Sequence, residues 1–241
     1  MSQICPLFKR EFLGYFRSPV AYVFLVAFVV ISISLSFSPF GGFFESNDAS
    51  LRLYFSFYPW LFLFLVPAVG MRLWSEERRT GTIELLFTLP VTRLEAVLGK
   101  FLAAWAFLTL AILSSITMAF TIAYLGKPDW GVVVSTYLGS ILMAGGYLGV
   151  CSLMSALTKN QVISFVLGLI ACAALLMLGF SGFTSTLESF LPVAAADAIA
   201  NFSFATHFEG FTRGIIDARD VVFFLSLIGF TLFLNVVVLD R

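Results

Sequence analysis

The charged side chains of this chain are concentrated in one stretch, residues 72–100, which lies between two long apolar runs. Its bases and acids are Arg72, Arg78, Arg79, Arg93 and Lys100, together with Glu76, Glu77, Glu84 and Glu95. Side chains of both signs at this density can form ion pairs and charge-assisted hydrogen bonds with another molecule. The stretch therefore predicts a surface that transmits or receives a signal outside the apolar regions.

Other residue types that commonly bind metals or react are few. Cys5, Cys151 and Cys172 show neither metal-ligand spacing nor a disulfide framework, so we interpret them as packing residues. His207 is the one histidine of the sequence. With no ligand at metal-binding spacing near it, a polar anchor at an interface is favoured over a metal or proton-relay site.

The composition predicts a polytopic membrane protein. Apolar residues make up 60% of the chain and charged residues 12%, and the mean hydropathy is +0.99. Soluble domains average roughly half apolar and a quarter charged residues. No segment is polar and long enough for a separate soluble domain, so residues 1–241 are expected to form a single transmembrane domain.

Six runs free of charged residues predict six transmembrane helices, because helix is the state that satisfies the backbone of a lone span in lipid. The runs are Val20–Phe40, Leu53–Met71, Phe101–Gly126, Gly131–Thr158, Val162–Ser181 and Val221–Leu239. Ser18-Pro19, a capping box at Thr92 and Glu95, and Asp129 are typical helix-start signals. Pro59 and Pro67 are expected to bend the second run rather than end it.

The distribution of Lys and Arg predicts that both termini and the charged stretch are cytoplasmic. One side has ten bases, which are Lys9, Arg10, Arg17, Arg72, Arg78, Arg79, Arg93, Lys100, Lys159 and Arg241. The other side has four bases, which are Arg52, Lys127, Arg213 and Arg219. The cytoplasmic side of a membrane is the one enriched in bases.

Residues 1–17 are too charged to cross a membrane, but Ile4, Leu7, Phe8, Phe12 and Tyr15 recur at helical spacing. We expect an interfacial helix with its bases toward lipid headgroups. Its pattern is imperfect because Glu11 falls on the apolar side. A solvated tail is the alternative.

A second surface helix is predicted within Thr80–Leu89. Glu77, Gly81, Glu84 and Thr88 share one stripe, and apolar residues cover the rest of the surface. Pro90 is expected to end this helix. The alternative is a solvated loop, which explains Arg78 and Arg79 but leaves unexplained the apolar residues Ile83, Leu86 and Leu89.

The run Glu76-Glu77-Arg78-x-x-Gly81-Thr82-x-Glu84-Leu85-Leu86-x-x-x-Pro90, followed by Leu98-Gly99-Lys100, resembles permease subunits of type-2 ABC transporters. The gliding-motility (GldF-like) branch is the most similar, and gliding itself does not follow from the likeness. The resemblance extends over most of the chain and includes Phe8–Phe12, Ala156–Gln161 and Thr206–Glu209.

This resemblance implies that residues 76–89 form a coupling helix that docks on a separate ATPase. The implied coupling residues are Glu76, Glu77, Arg78, Arg79, Gly81, Thr82, Glu84, Leu85, Leu86, Leu89 and Pro90. It also implies two ATPase copies, which carry the ATP and Mg, and a second or paralogous permease copy. An auxiliary protein of the gliding-motility type and membrane lipids are further expected partners, whereas nucleic acid is not. The implied location is the bacterial cytoplasmic membrane.

The outer segment Gly182–Asp220 is rich in Phe and Ala, so it is expected to fold back into the outer interface. Pro192 divides it, and Val193–Phe202 and Phe204–Ile216 are predicted as short helices. The resemblance implies that such re-entrant helices cap the transport path. The residues singled out there are Pro192, His207, Glu209 and Arg213.

Missing motifs narrow the function. Gly99-Lys100 and Gly126-Lys127 lack the preceding Gly and following hydroxyl of a phosphate-binding loop, so no nucleotide hydrolysis or bound cofactor is expected of this chain. The six runs contain no ionisable residue for ion coupling and no acid–base pair for intramembrane catalysis. An ATP-driven permease, most often an exporter, is therefore predicted, and the alternative is a channel or a non-transporting structural or mechanotransmitting assembly protein.

Overall fold

The computed structural model describes residues 4–37, 51–88, 91–125, 128–189 and 192–240, which form helices and no strand. The first helices of the chain are α1 (Ile4–Phe16), α2 (Pro19–Phe37), α3 (Arg52–Ser56), α4 (Tyr58–Gly70), α5 (Arg72–Thr80) and α6 (Thr82–Thr88). The long central helices are α7 (Arg93–Ser114), α8 (Ile116–Leu125), α9 (Trp130–Leu157) and α10 (Gln161–Met177). The remaining ones are α11 (Ser181–Glu188), α12 (Val193–Ala200), α13 (Phe204–Thr212) and α14 (Ala218–Leu239).

The all-helical prediction is confirmed for the described residues, whereas the predicted count of six spans is not confirmed by length and composition. Among the described residues, three segments are long and apolar enough to cross a membrane, namely α7 with α8, α9, and α14. A fourth is added if α1 and α2, which meet at a bend of 71°, form one broken span. The apolar helix α10 is shorter, at 17 residues.

Two of the predicted apolar runs are broken by short interruptions. The second run is divided at Phe57, so Pro59 lies in the first turn of α4, where a proline is tolerated, and does not bend a continuous helix. Pro67 lies inside α4, as predicted. The third run is divided at Ser115, between α7 and α8.

Buried hydroxyl groups meet at the Ser115 break. The Ser115 Oγ atom lies 2.9 Å from the Tyr58 hydroxyl and 3.1 Å from the Tyr137 hydroxyl. Tyr58 in turn donates to the Tyr54 hydroxyl at 3.0 Å, and Tyr54 donates to Ser32 Oγ at 3.1 Å. Since a buried polar group without a partner is costly, this network stabilises the breaks by joining α2, α3, α4 and α9 to the α7–α8 junction.

The helix α9 lies at the centre of the bundle and contacts α4, α7, α10, α13 and α14. Glycines allow this close packing: a Cβ atom on Gly145 would lie 2.8 Å from Ile228 and 2.9 Å from Trp105. A Cβ atom on Gly149 would meet the Thr231 hydroxyl. The small residues of α9 therefore pack against α14 and α7 of the same subunit, which is the role we favour for the Gly145-x-x-x-Gly149 motif.

The helix predicted within residues 1–17 is present as α1 and packs along α7. Leu7 is buried, and a Cβ atom on Gly99 would come within 2.8 Å of its Cδ2 atom. Tyr15 stacks on Phe107 with ring centroids 4.9 Å apart. These contacts position Glu11 of α1 beside the N-terminal part of α7, and they contradict the solvated-tail alternative.

Candidate functional site

The base of the charged stretch is α5, and a single hydroxyl anchors it to α9. Ser155 Oγ accepts the backbone N–H groups of Trp74 at 3.1 Å and Ser75 at 3.0 Å, and it donates to the Met71 carbonyl at 2.9 Å. The first N–H groups of a helix have no partner within that helix. Ser155 therefore supplies, from another helix, the cap that the α4–α5 junction lacks.

A buried ammonium group holds α5, α1 and α7 together. Lys100 Nζ lies 2.7 Å from Glu77 Oε1 and 3.4 Å from Glu11 Oε1, and the Lys100 side chain is only 5% exposed. Its ammonium also lies 5.4 Å from the centroid of the Trp74 ring. Burial by itself raises the pKa of Glu11, but Lys100 and Arg10 outweigh it and hold that pKa below its usual value. We call Glu11, Glu77 and Lys100 the charge cluster.

The charge cluster corrects the predicted position of Glu77. The sequence pattern placed Glu77 on an exposed stripe with Glu84, whereas its carboxylate points inward to Lys100. The reason is a helix break that the pattern did not reveal: Gly81 has a φ angle of 73°, a left-handed conformation that ends α5 and that L side chains rarely adopt. Glu77 and Glu84 consequently belong to two helices.

Beyond the anchor, several residues of the predicted coupling helix are exposed. Arg79, Thr80, Gly81, Thr82 and Glu84 are all exposed, and we call them the exposed tip. Glu76 and Arg78 lie partly buried on α5. Arg78 Nη2 lies 3.5 Å from the Val238 carbonyl, and within the described part of the chain Arg78 Nε and Glu77 Oε2 are buried without a hydrogen-bond partner.

The other predicted coupling residues are only partly described. The backbone of Leu85 and Leu86 belongs to α6, but their side chains, as well as Leu89 and Pro90, lie outside the described residues. The predicted capping box that follows is confirmed, since Thr92 Oγ1 accepts Glu95 N–H and Thr92 N–H donates to Glu95 Oε2 at 3.0 Å. This capping box starts α7, the helix that carries Lys100 of the charge cluster.

The described residues between Gly182 and Asp220 form a second group of polar contacts. The predicted helices there are present as α12 and α13, although α13 ends at Thr212, and α11 was not predicted. The Phe211 carbonyl of α13 accepts hydrogen bonds from Ser135 Oγ at 2.9 Å and Thr136 Oγ1 at 3.0 Å, both on α9. Pro192 is exposed before α12, and Glu209 and Arg213 form an exposed ion pair one turn apart.

His207 has two hydrogen-bond acceptors. Its Nδ1 atom lies 2.7 Å from Asp220 Oδ1, and its Nε2 atom lies 2.7 Å from the Asn201 carbonyl. Because a carbonyl only accepts, the Nε2 atom is the donor to the Asn201 carbonyl, and Nδ1 faces the Asp220 carboxylate. The ring also stacks on Phe223 at 3.9 Å. These contacts agree with an anchoring role, and no three His, Cys, Asp or Glu side chains of the described residues are grouped to hold a metal.

Sequence reasoning missed the two residues that fix α5. In the sequence, Lys100 is one of the ten bases assigned to one side of the membrane, but in the structure it is buried. It lies next to Gly99 in the third turn of α7 after the Thr92 cap, and this position within the helix was the sequence signal for its burial. Ser155 gave no signal, because its role depends on backbone groups about eighty residues away in sequence, as the 81- and 80-residue separations of its bonds show. The α4–α5 junction and α13 contact α9 near opposite ends of that helix.

The comparisons with known proteins agree with a membrane transport role. No curated protein matches the sequence significantly. The family model described as ABC-2 family transporter protein matches residues 21–239, which leaves only the first twenty and the last two residues unmatched. The chain therefore belongs to the ABC-2 family of transporter proteins.

Proposed function

We propose that this chain is the permease subunit of an ATP-driven exporter, and that a separate ATPase docks on the exposed tip. Family membership makes the chain a membrane component of an ABC transporter with an ABC ATPase partner. The docking position, the direction of transport and the stoichiometry are parts of the proposal.

The observation that carries the proposal is the two-part construction of residues 72–88. One part is held rigidly, by Ser155 and by the charge cluster. The other part, the exposed tip, continues from it across a glycine in a left-handed conformation at the end of α5. A rigid base with an exposed polar end suits the transmission of a partner's movement, whereas a topological loop needs no such base.

The pairing of Lys100 agrees with an energy source that lies outside this chain. The buried ammonium of Lys100 is paired with Glu77 and Glu11 and is not available to an ion crossing the membrane. In ion-coupled carriers, an ionisable side chain at membrane depth usually binds the coupling ion. A partner ATPase, with its own ATP and Mg, supplies that energy in the proposed arrangement.

The proposal also specifies the number of spans, the number of subunits and the branch of the family. The six spans would be α2, α3 with α4, α7 with α8, α9, α10 and α14, and their apolar sequences support this arrangement. Two permease copies and two ATPases in a bacterial cytoplasmic membrane follow from the resemblance to type-2 permeases. A relation to the gliding-motility branch is supported by the quoted motifs alone.

The first test concerns ATP hydrolysis. The purified chain is expected to hydrolyse no ATP, because it lacks a phosphate-binding loop, and activity should appear when the ABC ATPase that co-purifies with the tagged chain is added back. Phosphate release in detergent measures both states. Sustained hydrolysis by the ATPase-free chain, or failure of any ABC ATPase to co-purify, contradicts the proposal.

A second test concerns topology. Thr80 on the exposed tip and Ser185 on α11 are both exposed, and their cysteine variants can be compared in a background without Cys5, Cys151 and Cys172. An impermeant thiol reagent applied to intact cells is expected to label the Ser185→Cys variant and not the Thr80→Cys variant, as the base distribution predicts. Ser46, a further outer position, lies outside the described residues. Labelling in the reverse order would place the exposed tip outside the cell and exclude ATPase docking there.

A further inference from the structure

A cavity of about 300 Å³ lies beside the charge cluster, between α1, α2, α5 and α7 and the end of α4. Its charged lining residues are Glu11, Arg72, Glu76 and Lys100. This volume is at the lower end of the roughly 300–1,000 Å³ of small-molecule sites. The cavity can therefore hold a small polar group.

Two of the four lining charges are already neutralised, since Glu11 and Lys100 belong to the charge cluster. Arg72 and Glu76 differ from them. Within the part of the chain that the structure describes, neither side chain forms an ion pair or a side-chain hydrogen bond, although both line the same cavity one helical turn apart. The cavity thus presents one free positive and one free negative group.

The rest of the cavity wall is apolar. Ala21 and Phe24 of α2, Val69 of α4 and Phe107 of α7 line it beside the charged residues. Farther along α2, Val23, Val26 and Val30 are exposed, as expected for a helix in contact with acyl chains. The free charges therefore lie where the polar ends of helices meet the apolar body, which is the depth of lipid headgroups.

We propose that this cavity binds the headgroup of a zwitterionic phospholipid with a primary ammonium group. Arg72 binds the phosphate, because a guanidinium donates two parallel hydrogen bonds to such an anion, and Glu76 accepts hydrogen bonds from the ammonium. The four lining charges sum to zero, which matches a zwitterion better than an anionic headgroup. The apolar wall favours a lipid over a soluble phosphate.

This site goes beyond the proposed function, and its test is independent of ATPase docking because it uses the purified permease alone. The full chain in detergent is titrated with dioleoyl phosphatidylethanolamine, phosphatidylcholine and phosphatidylglycerol, and lipid-bound species are counted by native mass spectrometry. Phosphatidylethanolamine is expected to bind about tenfold more tightly than phosphatidylcholine, whose trimethylated ammonium donates no hydrogen bond to Glu76.

Two variants separate the roles of the free charges. Glu76→Gln is expected to remove the preference for phosphatidylethanolamine over phosphatidylcholine, and Arg72→Gln to weaken both lipids about tenfold. Glu188→Gln and Arg219→Gln are matched controls on exposed residues away from the cavity and should bind like the parent chain. If Arg72→Gln does not fold, Arg72→Lys should show a smaller loss, because it keeps the charge and loses the paired hydrogen bonds.

Several results would overturn the proposal. Equal binding of the three lipids, tighter binding of phosphatidylglycerol, or unchanged binding by Glu76→Gln excludes recognition of the ammonium group. Equal losses in the two control variants exclude this cavity as the site. Displacement of the lipid by an equal concentration of soluble phosphoethanolamine shows that the acyl chains contribute nothing, which contradicts a lipid as the ligand.

Discussion

Lys100→Met is expected to destabilise the purified chain by about 3 kcal/mol, since removing one partner of a buried ion pair leaves an uncompensated charge. The substitution leaves the carboxylates of Glu77 and Glu11, both partly buried, without the ammonium that neutralises them. Methionine keeps nearly the length of the lysine stem, so the loss of charge and not the loss of volume dominates. Thermal unfolding in detergent measures the effect, together with binding of the co-purifying ATPase.

The controls for this prediction distinguish a buried charge from a surface charge. Lys159→Met removes an exposed base and should change stability by no more than about 0.5 kcal/mol. The double variant Glu77→Gln with Lys100→Met should recover part of the lost stability, because it also removes one of the two unpaired carboxylates. A Lys100→Met variant as stable as Lys159→Met would show that the charge cluster does not hold α5.

Substitutions in α6 are expected to release the ATPase without unfolding the permease. Leu86→Asp should weaken ATPase binding about thirtyfold, the effect of losing an interface residue worth about 2 kcal/mol. Glu84→Lys, on the exposed tip, should weaken it less, since an exposed ion pair contributes about 0–1 kcal/mol. Pull-down of the ATPase at equal permease levels measures both, and transport should become uncoupled from hydrolysis.

Glu188→Lys on α11 is the matched charge reversal outside the proposed interface and should leave assembly intact. If Glu84→Lys and Leu86→Asp both bind the ATPase as the unchanged chain does, residues 72–88 are a charged topological anchor and not a coupling element. Together with Lys100→Met, these variants distinguish the contribution of the charge cluster to stability from the contribution of α6 and the exposed tip to ATPase binding.

Local features of the fold were predictable because their causes are local in sequence. The capping box at Thr92, the Asp129 cap of α9 and the amphipathic α1 each depend on residues within a few positions of one another. The breaks at Phe57 and Ser115 depend instead on hydroxyl groups from separate helices, such as Tyr58 with Ser115, 57 residues apart. Apolar periodicity carries no information about such contacts.

Glu11 shows how an apparent defect in a pattern can mark a tertiary contact. On the helical wheel of α1 it interrupts the apolar side, and sequence alone gives no reason for it. In the folded chain that side faces Lys100, and the Glu11 carboxylate pairs with the buried ammonium group. The exposed position of Glu84 agrees with the sequence pattern, whereas the inward position of the partly buried Glu77 could not be predicted from it.

The two sets of hydroxyl contacts on α9 connect the α4–α5 junction to α13 through one helix. Ser155 binds the α4–α5 junction near one end, and Ser135 and Thr136 bind the Phe211 carbonyl near the other. Twenty residues of helix at 1.5 Å each separate Ser135 from Ser155 by about 30 Å. A tilt of about 5° of a rigid helix of that length about its Ser155 end displaces its Ser135 end by about 2.6 Å, comparable to helix shifts in known switches. A rigid-body tilt of α9 would thus carry a displacement at the α4–α5 junction to α13.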